Sequence, residues 1–337
     1  MNILFRVSGG KANKKELGLG HVFRCINLAN HFDNQKIYFL IEDYGGVKKI
    51  LLGNGFENIK TIKKNISIKD DIKYTLQFIQ DEKIDVVIVD KFKTSNKYLN
   101  QIKSYVKIIY VSDLENYQYP AHLVVNGFIG LKNKIIKNKF GTRCLLGPKF
   151  QILNKTYEKT SQISSQKKYF LLVTFGGYDE HNIIDLFCNV AKEFLDKINI
   201  KIILGSATKK SAMVKTLEKH YPKNLEIIFS TTNLKRELSN AKFVFSAGGI
   251  TTYEIALMKI PFVIICQYKH QLLTAKQWEN RRVAKNLGMP NKFTSIKIKK
   301  IINKMIHDKF QIESNLNFVD GFGARRVAKE ILNLMND

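Results

Sequence analysis

The sequence predicts an α/β protein made of two successive doubly wound domains, and three observations carry that prediction. The chain has 337 residues, more than twice the roughly 150 that a single domain commonly uses. Its composition, 45% hydrophobic and 25% charged, is that of a globular chain able to build real cores. Short apolar runs alternate from end to end with longer segments of helical spacing, the pattern of a mostly parallel sheet covered on both faces.

The elements follow in order. Ile3–Val7 opens the chain as a strand, His21–Phe32 has helical spacing, and Ile37–Ile41 is the next strand. Ile68–Glu82 is again helical, followed by strands at Val86–Val89, Ile108–Val111 and Leu123–Val125. From about Asn154 to Lys168 the chain is polar and lacks apolar periodicity, so it reads as a linker between a domain at 1–153 and a second at 169–337. The pattern then restarts with strands Phe170–Phe175, Ile200–Leu204, Glu226–Phe229, Phe243–Ser246 and Phe262–Cys266. Helices are expected near 181–196, 209–220, 233–240, 250–258 and 271–287. The last helix, Ala324–Met335, is left open between its own domain and the first. Two such domains are expected to take a ligand at the carboxyl ends of their strands, in the cleft between them.

The charge is unusual: 55 Lys and Arg against 29 Asp and Glu give +26. A nucleic-acid or acidic-membrane partner would explain it. Only eight of the cations are Arg, however, leaving 47 Lys, and surfaces that grip phosphate or base edges favour the bidentate Arg fork. The lysines therefore read as a compositional bias that keeps the protein soluble. In the densest stretch, Lys292 to Lys304, the lysines are interspersed with Ile296, Ile298, Ile301, Ile302, Met305 and Ile306, as expected of an amphipathic helix with a solvated face. Neither a nucleic-acid partner nor stable membrane insertion is expected.

The four cysteines, at 25, 144, 188 and 266, form no C-x-x-C and no zinc-like spacing. They read as buried thiols of a reducing cytoplasm. The opening Met-Asn-Ile-Leu-Phe-Arg-Val reads as a strand rather than a signal peptide, and no apolar run has the roughly 18 residues needed to span a bilayer. A soluble, cytoplasmic monomer is expected.

Two constellations could carry chemistry. Gly18-Leu19-Gly20-His21 follows the first strand and opens a helix. Its glycines permit close approach of a ligand, the helix start offers unpaired N–H groups, and the histidine can act as a base near neutral pH. Ser246-Ala247-Gly248-Gly249-Ile250-Thr251-Thr252-Tyr253-Glu254 follows another strand. There the glycines Gly248 and Gly249, the helix start at Ile250 and the hydroxyls of Thr251 and Thr252 suit a diphosphate, with Glu254 placed to reach ribose hydroxyls. A second glycine pair, Gly176-Gly177 in Phe175-Gly176-Gly177-Tyr178-Asp179, ends a strand next to the linker. The dinucleotide fingerprint, H-E-x-x-H, G-x-S-x-G and the G-x-x-x-x-G-K-[ST] loop are all missing, and no two aspartates stand two residues apart. Neither a metal site nor a cofactor is expected.

These residues together resemble the PseG/SpsG family, whose PseG branch comprises UDP-2,4-diacetamido-2,4,6-trideoxy-β-L-altropyranose hydrolases of pseudaminic acid biosynthesis. The resemblance rests on Arg6, Gly18-x-Gly20-His21-Val22-x-Arg24-Cys25, Leu145-Leu146-Gly147-Pro148, Thr174-Phe175-Gly176-Gly177, Ser246-Ala247-Gly248-Gly249 with Glu254, and Val319-Asp320-Gly321-x-Gly323-Ala324-x-Arg326-Val327, in that order along nearly the whole chain. The family is similar in turn to MurG-type glycosyltransferases, so the resemblance implies their GT-B fold, two Rossmann-like domains facing each other across a cleft, without a required metal. It also implies that the carboxy-terminal half holds UDP and the amino-terminal half presents the sugar to water, with His21 activating or positioning that water. The implied substrate-binding set is Arg6, Gly18, Gly20, Arg24, Asp90, Gly176, Gly177, Gly248, Gly249, Ile250, Thr251, Thr252, Glu254, His270 and Gln271. The expected partner is a small-molecule UDP-sugar. Three departures fall in the sugar-facing half: Arg6-Val7-Ser8 where the family commonly has Arg-x-Asp, Asp90-Lys91-Phe92 where it often has Asp-x-Tyr, and Ser112-Asp113 where it has Asp-Asp. A GT-B glycosyltransferase with an acceptor in place of water, and a UDP-sugar-binding protein without turnover, are the competing readings.

Overall fold

The computed structural model describes residues 1–10, 18–91, 94–159, 167–177, 179–205, 208, 210–231, 233–313 and 317–336. These fold into two compact units, Met1–Lys159 with Asp320–Asp337, and Thr160–Val319.

In the first unit the chain runs through β1 (Asn2–Gly9), α1 (Gly20–Ala29), β2 (Lys36–Asp43), α2 (Val47–Gly53), β3 (Ile59–Ile62), α3 (Ile68–Asp81), β4 (Val86–Asp90), α4 (Asn96–Lys103), β5 (Lys107–Val111), β6 (Leu123–Asn126), β7 (Lys134–Lys137) and β8 (Arg143–Leu146). The strands form one sheet in the order β3-β2-β1-β4-β5-β6-β8-β7, parallel except for β7 against β8. Parallel strands buried on both faces explain the unbroken apolar runs of β1, β4 and β5. One face packs Ile3, Phe5 and Val7 against Val22, Cys25 and Ile26 of α1. The other packs Leu4, Val87 and Val89 against Tyr98, Leu99 and Ile102 of α4. Helix starts are written into the sequence: Ser67 and Ser95 accept the Asp70 and Tyr98 N–H groups at the heads of α3 and α4, caps each worth about 1 kcal/mol.

The second unit runs β9 (Tyr169–Thr174), α5 (Ile183–Ala191), β10 (Ile200–Leu204), α6 (Ala212–His220), β11 (Leu225–Phe229), α7 (Leu234–Ser239), β12 (Ala241–Ser246), α8 (Thr251–Leu257), β13 (Phe262–Ile264), α9 (Gln271–Asn280), β14 (Ala284–Asn286) and α10 (Thr294–Ile306). Its sheet is parallel throughout, in the order β11-β10-β9-β12-β13-β14.

The final helix, α11 (Gly323–Asn336), belongs to the first unit. Ala324, Val327, Ala328 and Ile331 join the core that contains Val22 and Ile26. A Cβ on Gly323 would stand 2.0 Å from the Gln151 carbonyl oxygen, so only glycine lets the helix start this close. The second unit thus ends before residue 320 rather than at 337. The expected linker is partly ordered structure as well: Asn154 caps a short 3₁₀ turn at Lys155–Glu158 and Tyr157 is buried. Residues 160–166 of it lie outside the described residues.

The structure adds four short strands that the sequence pattern does not announce, β3, β7, β8 and β14. Three or four residues carry too little periodicity to separate strand from loop. The helix expected over 271–287 stops at Asn280, because Arg282 takes a left-handed φ of 57° and turns the chain into β14. No glycine marks that turn. Among the described residues no helix is long and apolar enough to cross a membrane.

Candidate active site

In the first sheet β1 and β4 are neighbours, and the chain leaves β1 toward β2 on one side and β4 toward β5 on the other. This topological switch point is where open α/β sheets take ligands, at the carboxyl ends of the strands. Val7 pairs with Asp90 in register, and side-chain alternation turns Asp90 toward the face covered by α1. The close approach of that helix is set at Gly9, whose added Cβ would lie 2.6 Å from Val22 Cγ2.

The first turn of α1 presents His21 and Arg24 to this carboxylate. His21 Nδ1 lies 2.6 Å from Asp90 Oδ1, and Arg24 grips Asp90 through Nε to Oδ2 at 2.6 Å and Nη2 to Oδ1 at 2.7 Å. Arg24 also donates from Nη1 to Asp113 Oδ1 at 2.5 Å, just beyond β5. Asp90 is 1% exposed; burial alone would raise its pKa, but Arg24 and then His21 hold it down to about 2. An ionised carboxylate only accepts, so in the neutral imidazole a hydrogen on Nδ1 serves Asp90 and leaves the lone pair on Nε2, with Arg24 Nη2 also 3.1 Å from Nδ1. Among the described residues Nε2 has no hydrogen-bond partner, and the side chain is 18% exposed. Burial pulls the His21 pKa down and Asp90 pulls it up by more, so the net shift is upward despite Arg24. A buried carboxylate that fixes the tautomer and orientation of a partly exposed imidazole is an arrangement suited to general-base work.

Several residues of the expected substrate-binding set have internal partners. Arg6 is fully buried, with Nε and Nη2 on Asp71 at 2.8 and 3.1 Å, Nη1 on the Val7 carbonyl at 2.9 Å, and Nη2 also 3.5 Å from Glu42. Its donors are committed on the sheet face opposite α1, in an internal ion cluster that Lys91 completes by pairing with Asp71. Asp90 and Arg24 are likewise buried and mutually engaged beside His21. Asp113, absent from the expected set, has as its signal an acid two residues past an apolar strand, in the sheet position next to Asp90 at the end of β4. Gly18 is exposed and a Cβ there would meet only Gly20 N at 3.8 Å, and Gly20 opens α1. Residues 11–17 and Phe92 lie outside the described residues.

The second sheet repeats the topology, with its switch point between β9 and β12. Phe175-Gly176-Gly177 leaves β9 and Ala247-Gly248-Gly249 leaves β12, so the structure brings both glycine pairs to adjacent strand ends. They are not alike. A Cβ on Gly248 would lie 2.8 Å from Gln271 Cβ, so that glycine answers to packing, whereas Gly249 faces open space and Gly176 has a φ of 83° with nothing near its missing Cβ. Gln271 Oε1 accepts from the Gly248 N–H at 3.3 Å and the Gln267 N–H at 2.8 Å; it is buried and ties two loops together. Thr252 has internal partners too: its buried hydroxyl donates to the Gly249 carbonyl at 2.7 Å and accepts from Trp278 Nε1 at 2.9 Å. Thr251, Ile250 and Glu254 are part-exposed at the helix start. His270 is exposed and its ring stacks on Tyr268 at 5.6 Å. Gln267, absent from the expected set, donates to the Phe175 carbonyl and accepts the Glu180 N–H at 2.8 Å, binding the β9 loop to the β13 loop.

Among the described residues no group of three or more His, Cys, Asp and Glu side chains is placed to hold a metal ion.

No protein-family model matches the chain. It is 30% identical over 276 residues to the uncharacterized protein MJ1062 of Methanocaldococcus jannaschii, covering 76% of this chain and 54% of that protein, so the chain spans about half the length of this relative. It is 24% identical over 291 residues to the spore coat polysaccharide biosynthesis protein SpsG of Bacillus subtilis, covering 81% of each. Among solved structures, MurG of Acinetobacter baumannii superposes with a TM-score of 0.61 at 14% identity, over 100% of this chain and 99% of that one. UDP-GlcNAc 2-epimerase of M. jannaschii, solved with UDP-GlcNAc and UDP, gives 0.58 at 12% identity, over 99% and 100%. At such identities the likeness is one of fold: the chain has two parallel-sheet Rossmann-like domains of the GT-B type.

Proposed function

We propose that this chain is a UDP-sugar hydrolase that cleaves a UDP-acetamido-deoxy sugar, UDP-2,4-diacetamido-2,4,6-trideoxy-β-L-altropyranose, to UDP and free sugar in pseudaminic acid biosynthesis. The observation that carries the reading is the His21–Asp90 pair, with Nε2 left open at the switch point of the first sheet. The glycine-rich strand ends of the second unit, and the UDP bound by a solved protein of the same fold, support UDP as the leaving group.

Water donates a proton to His21 Nε2 as its oxygen bonds to the anomeric carbon. The bond from that carbon to the phosphate oxygen breaks, and its electron pair leaves with UDP. Asp90 holds the imidazolium that forms, and Arg24 holds Asp90. Uridine diphosphate is a good leaving group once its charge is met by backbone N–H groups such as those around Gly249, so one base suffices. A positioned base contributes about 10² to 10⁴-fold, and electrostatic support of the diphosphate supplies much of the remainder.

The test is UDP release from a panel of UDP-acetamido sugars by wild type and His21→Ala, in heavy-oxygen water. Label in the sugar and a His21 dependence support the reading. Label in UDP, or equal release by His21→Ala, overturns it. Release that appears only with an added sugar acceptor would make the protein a transferase of the same fold.

A further inference from the structure

Helix α10 carries more lysines than any other described helix. It carries four lysines, Lys297, Lys299, Lys300 and Lys304, and no acidic residue. Every other helix of eight or more residues with two or more lysines, apart from α4, also carries Asp or Glu. Toward the interior, Ile298, Ile301, Ile302 and Met305 are buried in the core of the second unit. At 100° per residue, Ile296 falls on the opposite side, at the centre of the arc that holds Lys299, Lys300 and Lys304. The periodicity of the basic stretch had grouped Ile296 with the buried isoleucines; the structure leaves it 64% exposed, the largest exposure of any large apolar side chain among the described residues. Phe293, one turn earlier on the same arc, is 53% exposed, with Lys292 Nζ 5.1 Å from its ring centroid. Of the lysines around this apolar pair, Lys299 alone has a carboxylate partner, Glu193 at 2.5 Å; Lys292, Lys297, Lys300 and Lys304 pair with no described carboxylate.

We propose that this face docks the protein, peripherally and reversibly, on an anionic lipid surface. Two adjacent apolar side chains enter the boundary between headgroups and acyl chains while the surrounding ammonium groups meet lipid phosphates. Apolar insertion and polybasic attraction are each weak, and together they give usable membrane affinity. A single-stranded nucleic acid could stack a base on Phe293 but has no use for the exposed Ile296 beside it, and it would favour Arg, which the helix lacks. Lysine-rich composition alone explains the cations but not two large apolar side chains left in water at their centre. The inference is independent of the proposed UDP-sugar chemistry, because it concerns the outer face of a helix that contributes no residue to either switch point.

The experiment is co-sedimentation of the full chain with phosphatidylcholine vesicles, with and without about 30% phosphatidylglycerol, at low and physiological salt. Wild type is expected to bind the anionic vesicles only. Lys297→Glu/Lys300→Glu/Lys304→Glu and Phe293→Ser/Ile296→Ser are each expected to lose about ten-fold or more in partitioning. Both sets change exposed positions, and an unaltered melting temperature and circular dichroism spectrum verify that each variant folds. Equal binding to neutral vesicles, no binding at low salt, or wild-type binding by the Phe293→Ser/Ile296→Ser variant overturns the proposal. So does tighter retention on single-stranded RNA that only the charge variant abolishes.

Discussion

His21 on α1 and Asp90 at the end of β4 stand 69 residues apart in the chain and 2.6 Å apart in space, with Arg24 clasping the same carboxylate. The pair joins a partly exposed imidazole to a buried, ionised acid. If His21 is the base, His21→Gln should cut turnover by about 10² to 10⁴-fold. UDP affinity, measured by calorimetry, should stay within about two-fold, because the loss is confined to the chemical step.

The pH profile follows from the direction of the His21 shift. Burial lowers its pKa and Asp90 raises it by more, so the imidazole stays protonated, and unable to accept a proton, to a pH above its ordinary value. Turnover should therefore rise with pH through an apparent pKa above 6.5. Asp90→Asn removes the raising partner and should move that limb to lower pH while reducing the maximum rate. A limb that does not move would show that His21 is not the titrating group.

The Arg6 cluster is expected to act on stability. Removing Asp71 leaves Arg6 fully buried and Lys91 nearly so, without their shared carboxylate. Asp71→Ala should cost about 3–5 kcal/mol in urea denaturation. At a temperature where this variant is still folded, its UDP affinity should match wild type.

The two glycines after β12 should respond differently. Gly248→Ala places a Cβ 2.8 Å from Gln271 Cβ and should lower the melting temperature by several degrees. Gly249→Ala meets nothing within 4 Å and should leave the melting temperature nearly unchanged. If Gly249 faces the diphosphate, the same substitution weakens UDP binding by about ten-fold or more, as titration calorimetry would show.

His122 should make stability depend on acid. Its neutral Nδ1 accepts the Ile108 N–H at 2.9 Å, and burial, then Lys103 and Lys107, lower its pKa to about 4. Between 6.5 and about 4 the unfolded chain binds the proton that the folded chain refuses, so stability falls as pH falls through that window. His122→Asn should flatten this part of a stability-against-pH curve.

Much of the fold was legible because it is local. Long parallel strands buried on both faces write themselves as apolar runs, and Ile3–Val7, Val86–Val89 and Ile200–Leu204 lie within or coincide with observed strands. The short strands β8 and β14 were not legible, since only pairing with β6 and β13 makes them strands. The two glycine pairs, legible as motifs, lie at adjacent ends of β9 and β12. The internal partners of Arg6 and Thr252, Asp71 and Trp278, were not legible because they are 65 and 26 residues away.

By itself, then, the sequence determined the alternation of strand and helix, the two-fold repetition of the doubly wound pattern, and the glycine-rich strand ends. These depend on side-chain period and backbone freedom, which act over a few residues. Only the tertiary structure decided which polar groups remain available for chemistry. Parallel register sets Asp90 against His21, and burial commits Arg6, Thr252 and Gln271 to internal partners. A side chain's donors and acceptors are spent on whatever the sheet brings beside it, and parallel crossovers bring together residues from far along the chain.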